Sequence, residues 1–148
     1  MTVSKQKGSS TVEFAMMLPL LLLLVVMVSE FGTLFYQLNA LNKSVQIAAR
    51  YLSDVSVNKA NTPAQKTNAQ NLAVYGNSAG TGTPVMSGFV IANVVISNPD
   101  IDHVRVVATY NAYLILGNSL NAFMQMIGGS AATSFMTLTA GSVMRFSQ

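Results

Sequence analysis

The chain has no cysteine and no tryptophan, only one histidine, and five acidic residues in 148. Without cysteine there is no disulfide framework and no thiolate metal site, a composition compatible with an oxidising compartment. One histidine and five acids leave few members for a nucleophile, a base and a group to orient it, so no enzyme is expected. His103 follows Asp100 and Asp102, but a metal site needs further nitrogen or oxygen ligands and none is near in sequence. Acids and asparagines in a tight turn ordinarily bond their own backbone, so neither a metal nor another cofactor is expected. The glycine-rich stretch Asn77–Gly88 lacks the Gly-Lys-Ser/Thr ending of a phosphate-binding loop, and no small-molecule substrate is indicated. The formal charge is +3, and removing Lys5 and Lys7 lowers it to +1, too little to point to nucleic acid.

What the chain does have is one dense apolar block over residues 14–36. Phe14 to Ser29 is sixteen residues without a charge, roughly 24 Å as a helix at ~1.5 Å per residue. Extending it past Glu30 to Tyr36 gives 23 residues, roughly 35 Å against a hydrocarbon core of ~30 Å. The block therefore predicts a membrane span, with Glu30 a few residues inside one end. Met27-Val28-Ser29-Glu30 offers no small-residue cleavage site, which argues against a removed secretory signal. Pro19 takes away one backbone hydrogen bond and predicts a bend that neighbouring helices in lipid can accommodate.

Beyond the span the helical pattern continues. Leu34, Leu38, Leu41, Val45, Ala48 and Leu52 recur at intervals of three and four, with Lys43, Gln46 and Arg50 off that stripe. This predicts one helix from about Ser10 to Leu52 whose later half presents an apolar seam to the rest of the chain. Val55–Asn61 reads as a connection. Thr62-Pro63 opens a second helix with Leu72, Val74 and Tyr75 as its apolar content, and Gly76 ends it. Three strands follow: Phe89–Ser97, a turn at Asn98-Pro99-Asp100, Val104–Leu116, and Phe135–Phe146. The strands predict a small antiparallel sheet that needs a cover, and the helical seam is the natural one. Ser119–Ile127 has helical spacing and reads as a crossover segment packed on its own sheet. The fold class expected is α+β.

The acid at Glu13 is the most informative residue. Ser10-x-x-Glu13 could be a capping box, but the acid directly precedes the apolar span, where an unpaired charge costs a few kcal/mol or more. An ammonium at a new amino terminus on a neighbouring chain would neutralise it. Gly8, four intervening residues, then Glu13-Phe14 and a long apolar helix resembles the class III prepilin processing signal. Gly8-Ser9-Ser10-Thr11-Val12-Glu13-Phe14-Ala15, Leu18-Pro19-Leu20, Glu30-Phe31-Gly32, Tyr36 and Ala48-Ala49-Arg50-Tyr51 together resemble the TadE-like pseudopilins of bacterial tight-adherence (Tad, or Flp) pilus systems. Asn71–Asn77, Gly80–Pro84 and Leu138–Arg145 continue the similarity.

The resemblance implies a pilin-like arrangement: residues 1–8 a leader removed after Gly8, 9–36 the transmembrane helix, 37–60 an amphipathic extension and linker, and 61–148 a small periplasmic α+β domain. It implies a minor pseudopilin taking part in assembly, initiation or the tip of the pilus. Gly8, Ser9, Glu13 and Phe14 would form the processing site, and Ser9, Glu13 and Glu30 the assembly contacts. The implied partners are the inner membrane, a prepilin peptidase, other pilins and minor pseudopilins, and the pilus assembly platform. The amino terminus would be cytoplasmic. The competing expectation is an uncut single-pass anchor that displays a binding module in the envelope.

Overall fold

The computed structural model describes residues 9–55, 62–100, 102–114, 117–118, 125–126, 128–129 and 135–146. The chain divides into two units, residues 1–33 with 114–134 and residues 34–113 with 135–148. One helix, α1 (Ser9–Ser53), contributes to both.

In the first unit, every described side chain of α1 from Ser10 to Thr33 is exposed except Glu30, which is half-buried. The most apolar window of this helix has a mean hydropathy of 2.5, and none of it is buried within the chain. So large an uncovered apolar surface requires lipid or other helices around it. The helix continues through Pro19. The segment expected as a helix over Ser119–Ile127 lies outside the described residues except for Gln125 and Met126, which are helical.

The second unit is an α+β domain, as expected. Its apolar seam is the later half of α1: Leu41, Val45, Ala48 and Leu52 are fully buried, with Leu34 and Leu38 partly covered. Ala49 joins them at no exposure. The helix ends where Ser53 Oγ and the Asp54 N–H both donate to the Arg50 carbonyl, at 2.8 and 3.1 Å. Arg50 in that last turn also complements the negative end of the helix dipole.

Helix α2 (Pro63–Tyr75) has Pro63 in its first turn and Gly76 left-handed at φ 73° at its end, as the sequence predicts, while Thr62 at the N-cap makes no side-chain capping bond. Its buried face differs from the expected one. Ala69, Ala73 and Val74 enter the core with Asn71, while Leu72 and Tyr75 are only half-buried. Positions four apart with small side chains let a short helix lie close to its neighbours; the bulkier Leu72 is left at the edge. The Tyr51 hydroxyl bonds Gln65 Oε1 at 2.5 Å and accepts from Asn68 Nδ2 at 3.4 Å, joining α1 to α2. Gln70 Nε2 donates to the Val94 carbonyl at 2.9 Å and ties α2 to the sheet.

The sheet has three antiparallel strands in the order β1 (Val94–Asp100), β2 (His103–Tyr113), β3 (Phe135–Arg145). Val104, Val106, Ala108, Tyr110 and Ala112 alternate into the core along β2, as their spacing predicts. Leu138 and Ala140 do so on β3, opposite Tyr110 and Ala108.

β1 starts later and ends later than its sequence suggests. Phe89 is fully buried with its N–H bonded to the Met86 carbonyl at 3.1 Å, and Ile91–Asn93 forms a 3₁₀ turn. Phe89 thus serves as a core plug rather than a strand residue, meeting Tyr110 edge to face with ring centres 6.2 Å apart. At the other end the strand crosses Pro99 by way of an irregularity between Ser97 and Asp100, then closes on His103. Proline can sit there because β1 is an edge strand whose outward N–H is not needed by the ladder.

Candidate assembly surface on helix α1

Past the membrane-length block, the same helix that supplies the core presents a second face. Tyr36, Lys43 and Arg50 follow one another at seven-residue intervals, each turned about 20° from the one before; Ala40 and Ile47 fill the intervening turns. Tyr36 and Ile47 are 73% and 41% exposed along this face. Leu72 of α2, Gly76 just past its end and Val85 of the following loop face them across a groove of about 450 Å³, with Asn39, Ala40, Lys43 and Ser44 completing its lining.

The far wall is held by backbone geometry. The Val85 N–H donates to the Val74 carbonyl at 2.8 Å, and the left-handed Gly76 turns the chain out of α2. The loop between them is pinned at its base. Asn71 Nδ2 donates to the Ser78 carbonyl at 3.1 Å, and Asn77 exchanges bonds with Thr81 at 2.7 and 3.2 Å. Sequence reasoning took the loop only for a surface excursion and missed the groove. The available signal was the seven-residue spacing of Tyr36, Lys43 and Arg50 beside Ala40 and Ile47, offset from the core stripe.

The residues singled out at the amino terminus fall as follows. Gly8 lies outside the described residues. Ser9 is the first residue of α1, so Ser10 is already inside the helix rather than capping it. Glu13 is one turn on from Ser9 and exposed, and Phe14 beside it is 64% exposed. Glu30 lies seventeen residues beyond Glu13, about 25 Å of helical rise, so the two acids cannot share one partner group on this chain. Near Glu30, the Thr33 hydroxyl donates to the Ser29 carbonyl at 3.1 Å, which satisfies that hydroxyl within the helix.

His103 and its neighbouring acids form the end of the sheet. His103 Nδ1 is 4.0 Å from the Asp100 carboxylate, Arg145 is 3.8 Å from Asp102, and the Phe146 N–H donates to the Asp102 carbonyl at 2.8 Å. His103 and Arg145 are directly opposed across β2 and β3. Among the described residues no three His, Cys, Asp or Glu side chains gather as a metal site would require.

A long, uncovered apolar helix that also supplies the core of a small three-stranded domain defines a class: an α+β protein whose amino-terminal helix fits a membrane anchor. The model of the family described as TadE-like protein matches residues 8–50, so that stretch of the chain is similar to the TadE-like family. No curated protein and no solved structure matches the chain.

Proposed function

We propose that the chain is a minor pseudopilin of a Tad/Flp-type pilus, cut after Gly8 by a prepilin peptidase, and that its role in assembly, initiation or the tip is non-enzymatic. The observation that carries this reading is the extent of the family match, which begins at Gly8 and ends at Arg50 within α1. It takes in the glycine, Glu13 and the uncovered apolar helix together. Cutting after Gly8 would create an ammonium at Ser9. A neighbouring chain displaced by about one helical turn would bring that ammonium to Glu13, in surroundings where neutralising a carboxylate is worth a few kcal/mol. The amino terminus would face the peptidase on the cytoplasmic side, and the sheet domain the periplasm.

Mass spectrometry of the membrane-extracted protein tests the first step. With the cognate peptidase present, residues 1–8 should be missing, and Gly8→Ala should retain them. An intact leader in the native chain would overturn the processing step and favour an uncut anchor. Glu13→Gln should be cut normally yet impair piliation; normal piliation would remove its pairing role.

A further inference from the structure

We propose that the groove between α1 and α2 receives an α-helix of a second protein, an apolar helix that places carboxylates seven residues apart against Lys43 and Arg50. The proposal rests on the reading above only in supposing that the chain works among other helical proteins. The groove is lined mainly by apolar groups, and Tyr36, Ile47 and Val85 remain exposed along it. Its open length follows the helix, and the exposed residues on α1 repeat at the spacing with which one helix meets another in a seam.

Charge decides the kind of helix. Lys43 stands in the groove and Arg50 continues its face, about 10.5 Å further on at ~1.5 Å per residue. Neither forms an ion pair among the described residues, and Asp54, one turn past Arg50, is not paired with it. Among the described residues no acid lines the groove. Two cations at matching positions of an apolar seam repel a second copy laid alongside in the same register, because like residues would meet. They instead select a different helix with acids at the facing positions.

The absence of cysteine allows a positional test on the full chain in detergent. One cysteine is placed at Asn39, on the groove, and in a separate variant at Thr109, on the exposed face of β2. The probe is a three-heptad helical peptide with an apolar seam, one cysteine, and two glutamates seven residues apart; otherwise identical peptides carry glutamine or lysine there. Disulfide trapping at Asn39→Cys should exceed that at Thr109→Cys. The glutamate peptide should trap better than the glutamine peptide by roughly two- to fivefold for each exposed ion pair, and the lysine peptide worst. In the Lys43→Glu/Arg50→Glu background that order should invert, while melting of the domain stays within the small range usual for surface changes. Equal trapping at both positions, or an order unaffected by the charge reversal, would overturn the proposal. Rapid self-trapping of Asn39→Cys without peptide would overturn it in favour of a second copy. A chain whose leader is cut normally but which fails this test loses the groove assignment alone; an uncut chain that passes it loses only the pseudopilin reading.

Discussion

Shortening Leu41 and Ile47 to alanine, one at a time, separates the two faces of the later half of α1. Leu41 is completely buried in the domain core, whereas Ile47, less than two turns away, is 41% exposed on the groove. Leu41→Ala removes buried methyl groups and leaves a cavity, a loss of roughly 3 kcal/mol. In a unit of this size each kcal/mol lowers the melting temperature by about 4–8 °C, so the expected drop is about 12–24 °C. Ile47→Ala loses only the part of its transfer energy that is covered, about 1 kcal/mol, and recovers roughly 0.4 kcal/mol in helix propensity. Its drop should stay below about 5 °C. All five tyrosines, Tyr36, Tyr51, Tyr75, Tyr110 and Tyr113, lie in the second unit. The tyrosine band in the near-ultraviolet circular dichroism of the full chain therefore follows the melting of this domain. In cells, Ile47→Ala should reduce piliation at near-normal protein level, while Leu41→Ala should lower the protein level itself. Equal melting losses for the two variants would mean that Ile47 is a core residue, and the groove would not exist as a surface.

Two further outcomes follow from local geometry. Gly80 has φ +69°, and a Cβ there would sit 2.8 Å from the Asn71 amide; Gly80→Ala should cost about 1–2 kcal/mol from backbone alone and more from the clash. The double variant with Asn71→Ala should then lose less than the sum of the two by about 1 kcal/mol or so, and strict additivity in denaturant melts would refute the contact. Burial pushes the Tyr110 phenol above its ordinary value of 10.0, with Tyr113 adding to the effect. The fold thus favours the protonated phenol, whose hydroxyl donates to the Ser87 carbonyl at 2.9 Å. This contribution is fully present below pH 10 or so and is lost as pH rises through the elevated value. Ultraviolet titration should show one tyrosine ionising late, and Tyr110→Phe should abolish that late step; an unchanged titration would contradict the assignment.

Much of this architecture could be read before any coordinates. The stripe Leu41–Val45–Ala48–Leu52 is in the core because its spacing leaves it no other common face, and β2 buries alternate residues because strand geometry requires it. The ends of α2 are legible for the same local reason, since proline and glycine act on their own backbone dihedrals. Strand β1 lies several residues later than its composition predicts, because β-branched residues do not distinguish a strand from a segment whose one aromatic plugs the core. Phe89 leaves the extended path to reach Tyr110, a residue 21 positions away.

The membrane-length apolar helix, the Gly8–Phe14 pattern, the three-stranded antiparallel sheet and the apolar seam of the later helix are all legible in the chain alone. Each is set by a period or by a residue's own backbone preference. The placing of Leu72 at the edge, the bond that draws Val85 to Val74 and the groove beside Lys43 arise from long-range packing. Those outcomes depend on how closely the alanines of α2 let it approach the core and on where a pinned loop returns, and neither distance is written in any local stretch of the chain.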